Sequence, residues 1–600
     1  MLVQVSAYRL SMPTLNNLRE QWAAHWPAAL AIWSKFTKLR DPVWCFDAQD
    51  AKREGLTGSF AMIRLDDQSV VIGLHLVEQQ KLDQFALEIL AHEIGHHVLA
   101  PADLTDHGRM IARMRRGLPT KEHLAPFISN LYTDLLINDR LQRSSNLKIA
   151  DVYKALGSDS QDRMWTFYMR IYEILWSLTK GTLAKGAIDE RLEGDAHLGA
   201  RLVRVYARDW LKGSGKFAAL CLPYLLENEG QSIQQLLKGW RDTDHAGTGG
   251  SPSGLTEIED DEIGGALHPS LDPEISGLDE LEAADGEEGG RPKESAANQP
   301  SKGQYREPFE YGQILKAMGL NLSDHEIAIR YYKERATPHL IRFPTRTRPE
   351  TTEPLPEGLE PWDIGSPLEA ADWTESVILS PHIVPGMTTV QRVYGTTEGS
   401  LPKKEPLDLD LYVDSSGSMP NPQQSTSYLT LAGAIVALSA LRVGARVQAT
   451  LWSGARQFII TDGFITDEKK ILGILVGYFG GATAFPIHIL RDTFANRKPA
   501  DRPVHILHIS DDGITTLFAK DEQNNDGWNV SRIALEKARG GGTMVLNLWG
   551  EWKQNADLVR ANEQGWGISV VRSWEELVEF AKQFSKLKYG ERDSSTDVTD

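Results

Sequence analysis

Two groups of residues have the types and spacing that chemistry requires. The first is His92-Glu93-Ile94-Gly95-His96. On a helix, positions i and i+4 share a face, so both imidazoles can reach one Zn²⁺ while Glu93 stands beside them to take a proton from a water. Leu82, Phe85 and Ile89 set the phase of that helix, and Pro101 stops it soon after the second histidine. A third ligand must come from elsewhere. The segment ISNLYTDLLINDRLQ carries Asn130, Asp134 and Asn138 at four-residue spacing on an otherwise apolar helix. A polar stripe buried toward the histidine helix needs partners, and a metal plus a histidine N–H would supply them. This points to Asp134 as the third zinc ligand and Asn138 as the group that orients a histidine. His107 is the alternative ligand. Asp139 is turned away from Asp134, and His97 flanks the motif without an assigned role.

The second group lies in the last third of the chain. Asp414 ends the apolar run LDLYVD, and Ser416 and Ser418 follow in a Gly-containing turn; Thr483 sits in the glycine-supported loop YFGGATAFP; Asp511 and Asp512 end the run VHILHIS. In an open parallel sheet, ligands bind where strands end and loops gather. Hydroxyl and carboxylate oxygens suit a small hard cation, Mg²⁺ or Mn²⁺, with waters or a partner's oxygen completing an octahedral shell.

The first group resembles the zincin metallopeptidases. The resemblance includes the strand-like passage SFAMIRLDDQSVVIGLHL, which in that family is the edge strand a peptide substrate lies against, and it implies Zn²⁺ on His92 and His96 with Glu93 as the catalytic base. The metzincin extension would need Gly at 99 and His at 102, where this chain has Leu99 and Ala102. The second group resembles the metal-ion-dependent adhesion site of von Willebrand factor A domains, over about residues 405–590. Asp414, Ser416 and Ser418 match its DxSxS, Thr483 its loop threonine and Asp511 its final aspartate. Asp512 leaves two acids where the family usually has one. That family uses the open position on the metal to accept a carboxylate from a bound protein, so the resemblance implies a protein partner.

The elements that must carry these groups follow from periodicity. Residues 1–240 read mainly as helices with apolar residues at three- and four-residue spacing, interrupted by the strand-like passage, which makes an α+β domain. From Leu407 onward short apolar strands alternate with amphipathic helices, the pattern of a doubly wound, Rossmann-like α/β domain over 405–590. Residues 305–404 read as two short helices followed by a Pro- and Thr-rich connector, and 591–600 as a flexible tail. Between Asp242 and Glu288 lie 15 carboxylates without one Lys or Arg, most of the net charge of −18. Residues 241–304 are therefore expected to be a disordered acidic linker.

Composition narrows the function classes. The acidic tract and the lack of a clustered basic face argue against nucleic acid. No apolar run reaches the roughly 18 residues of a membrane span, no secretory signal opens the chain, and Cys45 and Cys221 form no CxxC pattern. The expected setting is the cytoplasm. An acidic linker before an A-type domain also resembles chelatase subunits and A-domain proteins that work beside MoxR-type AAA+ ATPases. No GxxxxGK[ST] segment occurs, so such an ATPase would be a separate chain. Two readings stand: a zinc peptidase whose A domain recruits its substrate, or a non-enzymatic adaptor that couples an AAA+ ATPase to a client.

Overall fold

The structure, a computed structural model, describes residues 12–56, 59–157, 160–227, 252–264, 266–276, 304–349, 353–397 and 402–586. The chain forms two compact units: Met1–Glu334 with Gln423–Ser425, and Arg335–Pro422 with Thr426–Asp600. Among the described residues no helix is long and apolar enough to cross a membrane.

The first unit is helical around a three-stranded sheet. The strands β1 (Val43–Cys45), β2 (Ala61–Arg64) and β3 (Ser69–Gly73) have the order β1-β3-β2, with β1 parallel and β2 antiparallel to β3. Val70, Val71 and Ile72 are buried on both faces, as a central strand of β-branched residues requires. The helix α1 (Met12–Trp33) lays Trp22, Trp26 and Trp33 onto the histidine helix α2 (Ala86–Val98), and Trp33 Nε1–H donates to Ala91 O at 2.7 Å. Two further helices complete the scaffold: α3 (Leu104–Gly117) and α4 (Ala125–Ser144). Nearly every residue of α4 from Phe127 to Asp139 is buried, so its Asn/Asp stripe faces protein rather than solvent.

The acidic stretch differs from the expected linker. Residues 252–264 and 266–276 are folded against the first unit, while 241–251 and 277–303 lie outside the described residues, as does the 591–600 tail. Arg113 of α3, 2% exposed, pairs with Glu259 at 2.5 Å and Asp261 at 2.6 Å; Arg116 pairs with Glu262 at 3.0 Å, and the buried Arg306 also meets Glu262. Asp272 takes Lys216 and the Tyr206 hydroxyl, each at 2.7 Å. The counter-charges that order this segment come from remote parts of the chain. The connector also divides differently from the expectation: helices at Pro308–Ala317 and Asp324–Ala336 do form, but the Pro- and Thr-rich part contains two antiparallel strand pairs, Thr345–Pro349 with Pro402–Pro406 and Glu353–Pro361 with Val390–Thr397.

The second unit is built on a six-stranded mixed sheet. Its strands are β4 (Asp408–Asp414), β5 (Val447–Trp452), β6 (Phe458–Ile460), β7 (Val504–Ser510), β8 (Arg539–Leu546) and β9 (Trp566–Val570), in the order β6-β5-β4-β7-β8-β9. All neighbours are parallel except β6, which runs antiparallel at the edge. One face packs Tyr412, Trp452 and Ile506 against Leu490, Phe494 and Ala534. On the other, Ile509 approaches Gly433 of a buried helix, Tyr428–Arg442, so closely that a Cβ there would lie 2.5 Å away. With helices on both faces, β4 and β7 are buried along their whole length, including the polar Asp408 and Asp410 of β4 and His505 and His508 of β7.

His508 sits inside this core, its ring centroid 5.0 Å from Tyr412, 5.1 Å from Phe485 and 4.9 Å from Trp566. Burial pushes its pKa down to about 3. The unfolded chain takes a proton on this histidine below its ordinary pKa of about 6.5, and the folded chain does not, so stability is lost as pH falls from there, by about 1.4 kcal/mol per pH unit. Asp410, raised to about 7 by burial, acts in the opposite direction, gaining stability as pH falls. A comparison with His508→Phe cancels that contribution. Denaturant titrations between pH 7 and 4.5 should show the second unit of the His508→Phe variant losing less stability on acidification than the wild type, with the gap opening below about pH 6.5.

Candidate metal centre

The histidine motif is presented by α2, and the fourth motif residue decides how closely its neighbour can approach. A Cβ on Gly95 would lie 2.5 Å from Ile137 Cγ2 of α4 and 2.7 Å from Trp33 Cζ2. Only glycine lets α4 come this near, and Asp134 is thereby brought against both histidines. His92 Nε2 and His96 Nε2 are 3.3 Å apart, and Asp134 Oδ1 lies 3.6 Å from the first and 3.4 Å from the second. Tetrahedral zinc with bonds of about 2.0–2.1 Å has its ligand atoms about 3.3 Å apart, so the three atoms form one face of such a site. They are the His/Cys/Asp/Glu group among the described residues whose donor atoms converge as a cation requires. His96 and Asp134 are buried and His92 is half-buried.

Hydrogen bonds around the triad fix its donor atoms. His92 Nδ1 is 2.8 Å from Asn138 Oδ1, and His96 Nδ1 is 3.2 Å from Ala100 O. Asn138 Nδ2 donates to the hydroxyls of Tyr153 at 3.1 Å and Tyr172 at 2.9 Å, which sets the orientation of the amide. With the amide placed this way, Oδ1 accepts from His92 Nδ1–H in the tautomer that leaves the Nε2 lone pair for a metal. Tyr172 is bonded in turn to Tyr153 at 3.1 Å and Tyr168 at 3.0 Å. Burial and the nearby negative charge of Asp134 hold these phenols far above their ordinary pKa, so they remain neutral hydroxyls. One turn before Asp134, Asn130 Nδ2 donates to Asp134 Oδ2 at 3.5 Å, while Oδ1 faces the histidines.

Glu93 is 2% exposed and shares a small cavity, about 40 Å³, with His92, Asp134, Asn138 and Tyr153. The remaining sequence candidates separate clearly. His107 is buried on α3, held neutral with a pKa of about 4 by burial and by the neighbouring His96, and contributes no atom to the converging set. Asp139 is paired with Arg143. Tyr153, Tyr168 and Tyr172 were not legible as site residues; the four-residue spacing of Tyr168 and Tyr172 on the helix Arg163–Leu175 was the available signal.

In the second unit, Asp414, Ser416, Ser418, Thr483 and Asp511 gather at the C-terminal ends of β4 and β7. Ser418 Oγ donates to Asp511 Oδ2 at 2.5 Å and lies 3.2 Å from Ser416 Oγ; Ser416 N–H donates to Asp414 Oδ1 at 2.8 Å. Ser510 Oγ, absent from the sequence-based set, donates to Asp414 Oδ2 at 2.6 Å. The Thr483 loop is tied down by Gly417 N–H to Gly481 O and Gly480 N–H to Ser415 O, both 2.9 Å. A Cβ on Gly513 would meet Thr483 Cγ2 at 2.4 Å, Asp511 Oδ1 at 2.9 Å and Asp414 Oδ2 at 3.6 Å, so these three side chains surround one point. Asp511 is buried into the group and Asp512 is exposed, which resolves the choice between the two acids. Burial, with the charge of Asp511 adding to it, raises Asp414 to about 6, and a cation would relieve both effects.

Neither a family model nor a curated protein matches this chain, so its sites are read from their own geometry.

The geometry makes Asn138 a positioning residue for the first centre. Asn138→Leu should lower zinc affinity about 10- to 100-fold in a chelator competition, because His92 loses the bond that fixes its tautomer. His107→Ala should leave affinity unchanged; the reverse pattern would transfer the third ligand to His107.

Proposed function

We propose that the first unit is a zinc-dependent peptidase of the zincin type, and that the second is a von Willebrand factor A-type domain that recruits a protein through Mg²⁺ or Mn²⁺. The observation that carries the reading is the convergence of His92 Nε2, His96 Nε2 and Asp134 Oδ1 at 3.3–3.6 Å beside a buried Glu93. Zinc held there supplies Lewis acidity that polarises a carbonyl and makes a water nucleophilic near neutral pH. The chain's own residues do the rest. Asp134 and the two imidazoles hold the ion, Asn138 keeps His92 in the ligating tautomer, and the Glu93 carboxylate, in the same cavity, takes a proton from the attacking water. The strand β2 lies at the sheet edge directly after Phe60 of the cavity. Cys45 and Cys221, both buried and unbridged, fit the reducing cytoplasm.

In the second unit, two carboxylates and three hydroxyls on the sheet's C-terminal edge favour a hard cation whose outer position accepts a partner's carboxylate. An AAA+ ATPase on a separate chain is one such partner, and the adaptor reading differs from the peptidase reading only in what the first unit does.

Glu93→Gln should retain about one zinc per chain while losing peptide hydrolysis, because Glu93 moves a proton rather than binding the ion; His96→Ala should lose the zinc itself. Metal analysis of the purified full chain, with a general proteolysis assay, reads both. Wild-type protein that holds zinc but cleaves no peptide would favour the adaptor. A separate expectation concerns the second unit: Asp414→Ala should abolish Mg²⁺ and Mn²⁺ binding there in titration calorimetry, and unchanged affinity would refute the assignment.

A further inference from the structure

The strand β6 (Phe458–Ile460) is the outermost strand of the second unit's sheet, and one of its edges is open. Ser453 N–H donates to Gln457 O at 2.9 Å and Thr461 N–H to Ala449 O at 3.0 Å, so positions 457, 459 and 461 turn their backbone groups toward β5. Alternation along an antiparallel strand then directs the N–H and C=O of Phe458 and Ile460 away from the sheet, where no other strand pairs with them among the described residues. Such edges are commonly blunted by a lysine or a proline. Here the strand is Phe458, Ile459 and Ile460, which are 36%, 50% and 38% exposed. The Phe458 ring lies against that of His488, centroids 5.3 Å apart, so Phe458 and Ile460 share the sheet face that carries the helix Ile487–Ala495, and Ile459 points to the other.

We propose that this edge pairs with the same edge of a second copy of the chain, antiparallel about a two-fold axis at Ile459, so that two sheets become one. The residues flanking the strand select this occupant. The axis sets Phe458 opposite Ile460 of the second copy and Ile460 opposite its Phe458. Each pair faces outward and can exchange two backbone hydrogen bonds, and an aromatic opposite a β-branched residue is a favoured cross-strand pair. Two positions further out, the same symmetry sets Arg456 opposite Asp462, twice over. Both side chains are exposed, and neither forms an ion pair among the described residues. Moving the axis to Phe458 or Ile460 keeps the backbone parity but sets Arg456 against Ile460 or Phe464, and Asp462 against Gly454 or Phe458. Only the axis at Ile459 matches charge with charge. A foreign strand has no need to meet this symmetry, whereas a second copy meets it in both halves at once. With one short strand from each chain, the dimer belongs to the weak, reversible class.

Sedimentation velocity of the full chain should show a monomer–dimer equilibrium with a dissociation constant in the micromolar range. Phe458→Lys, which places a charge on the open edge, should leave only monomer. Arg456→Asp or Asp462→Arg alone opposes like charges at both pairs and should weaken the dimer about tenfold, and the two together should return it to within about threefold of wild type. Cysteines trap the register. Residues opposite each other in a non-hydrogen-bonded pair have Cα atoms about 4.5 Å apart, within the span of a disulfide, so Ile459→Cys should link two chains on mild oxidation. Phe458→Cys, offset by two positions from its own copy, should not, and the buried Cys45 and Cys221 leave the wild type as the blank. The substituted positions are exposed, and an unchanged thermal melt checks that the fold is kept. A chain that stays monomeric up to the millimolar range, as it would if a foreign strand were the true occupant, overturns the proposal. So does a dimer that survives Phe458→Lys, a double charge swap no tighter than the single ones, or an Ile459→Cys variant that links no better than Phe458→Cys.

Discussion

The close approach of two helices at Gly95 is the constraint on which the first centre depends. Two histidines at i and i+4 supply two ligands from one helix, and the third must cross from another. With Ile137 Cγ2 and Trp33 Cζ2 at 2.5 and 2.7 Å from the position of a missing Cβ, the interface has no room for a methyl group. Separating the helices by the width of one would carry Asp134 out of the 3.3–3.6 Å triangle, because coordination distances tolerate only a few tenths of an ångström. Packing of apolar side chains thus sets the spacing of the polar ones.

Burial then makes the polar groups answer to one another. The stripe Asn130, Asp134 and Asn138 lies on a helix covered on all sides, where an unmet amide or carboxylate is costly. The Asn138 amide is used twice over, toward a metal-binding side chain and toward the protein behind it. The tyrosines beyond Asn138 act at one remove: they orient the amide, and the amide orients the imidazole. Similar logic governs the second unit, where Ser510 on the strand end and Ser416 in the turn both bond to Asp414, so its carboxylate is aimed before any cation arrives.

How much of this was legible in the sequence depends on how local each signal is. The histidine pair, the polar stripe and the strand-ending aspartates are written at fixed short spacings, and the structure brings each set together. Asp511 and Asp512 could not be told apart until the strand's alternation and the following turn were known. Tyr153 and Tyr172 come from helices packed later against the site, so no spacing links them to His92. The acidic stretch misled for the same reason. It has no cation of its own, and its partners Arg113 and Arg116 stand more than 140 residues earlier.

That stretch has a consequence for how the molecule meets other charged matter. The arginines of α3 form a cationic row, and Glu259, Asp261 and Glu262 lie along it as a covalently attached counterion. A tethered group meets its site at an effective concentration on the order of millimolar, which a free polyanion must exceed to displace it. The row is self-neutralised, and these arginines are kept from acting as a general anion exchanger.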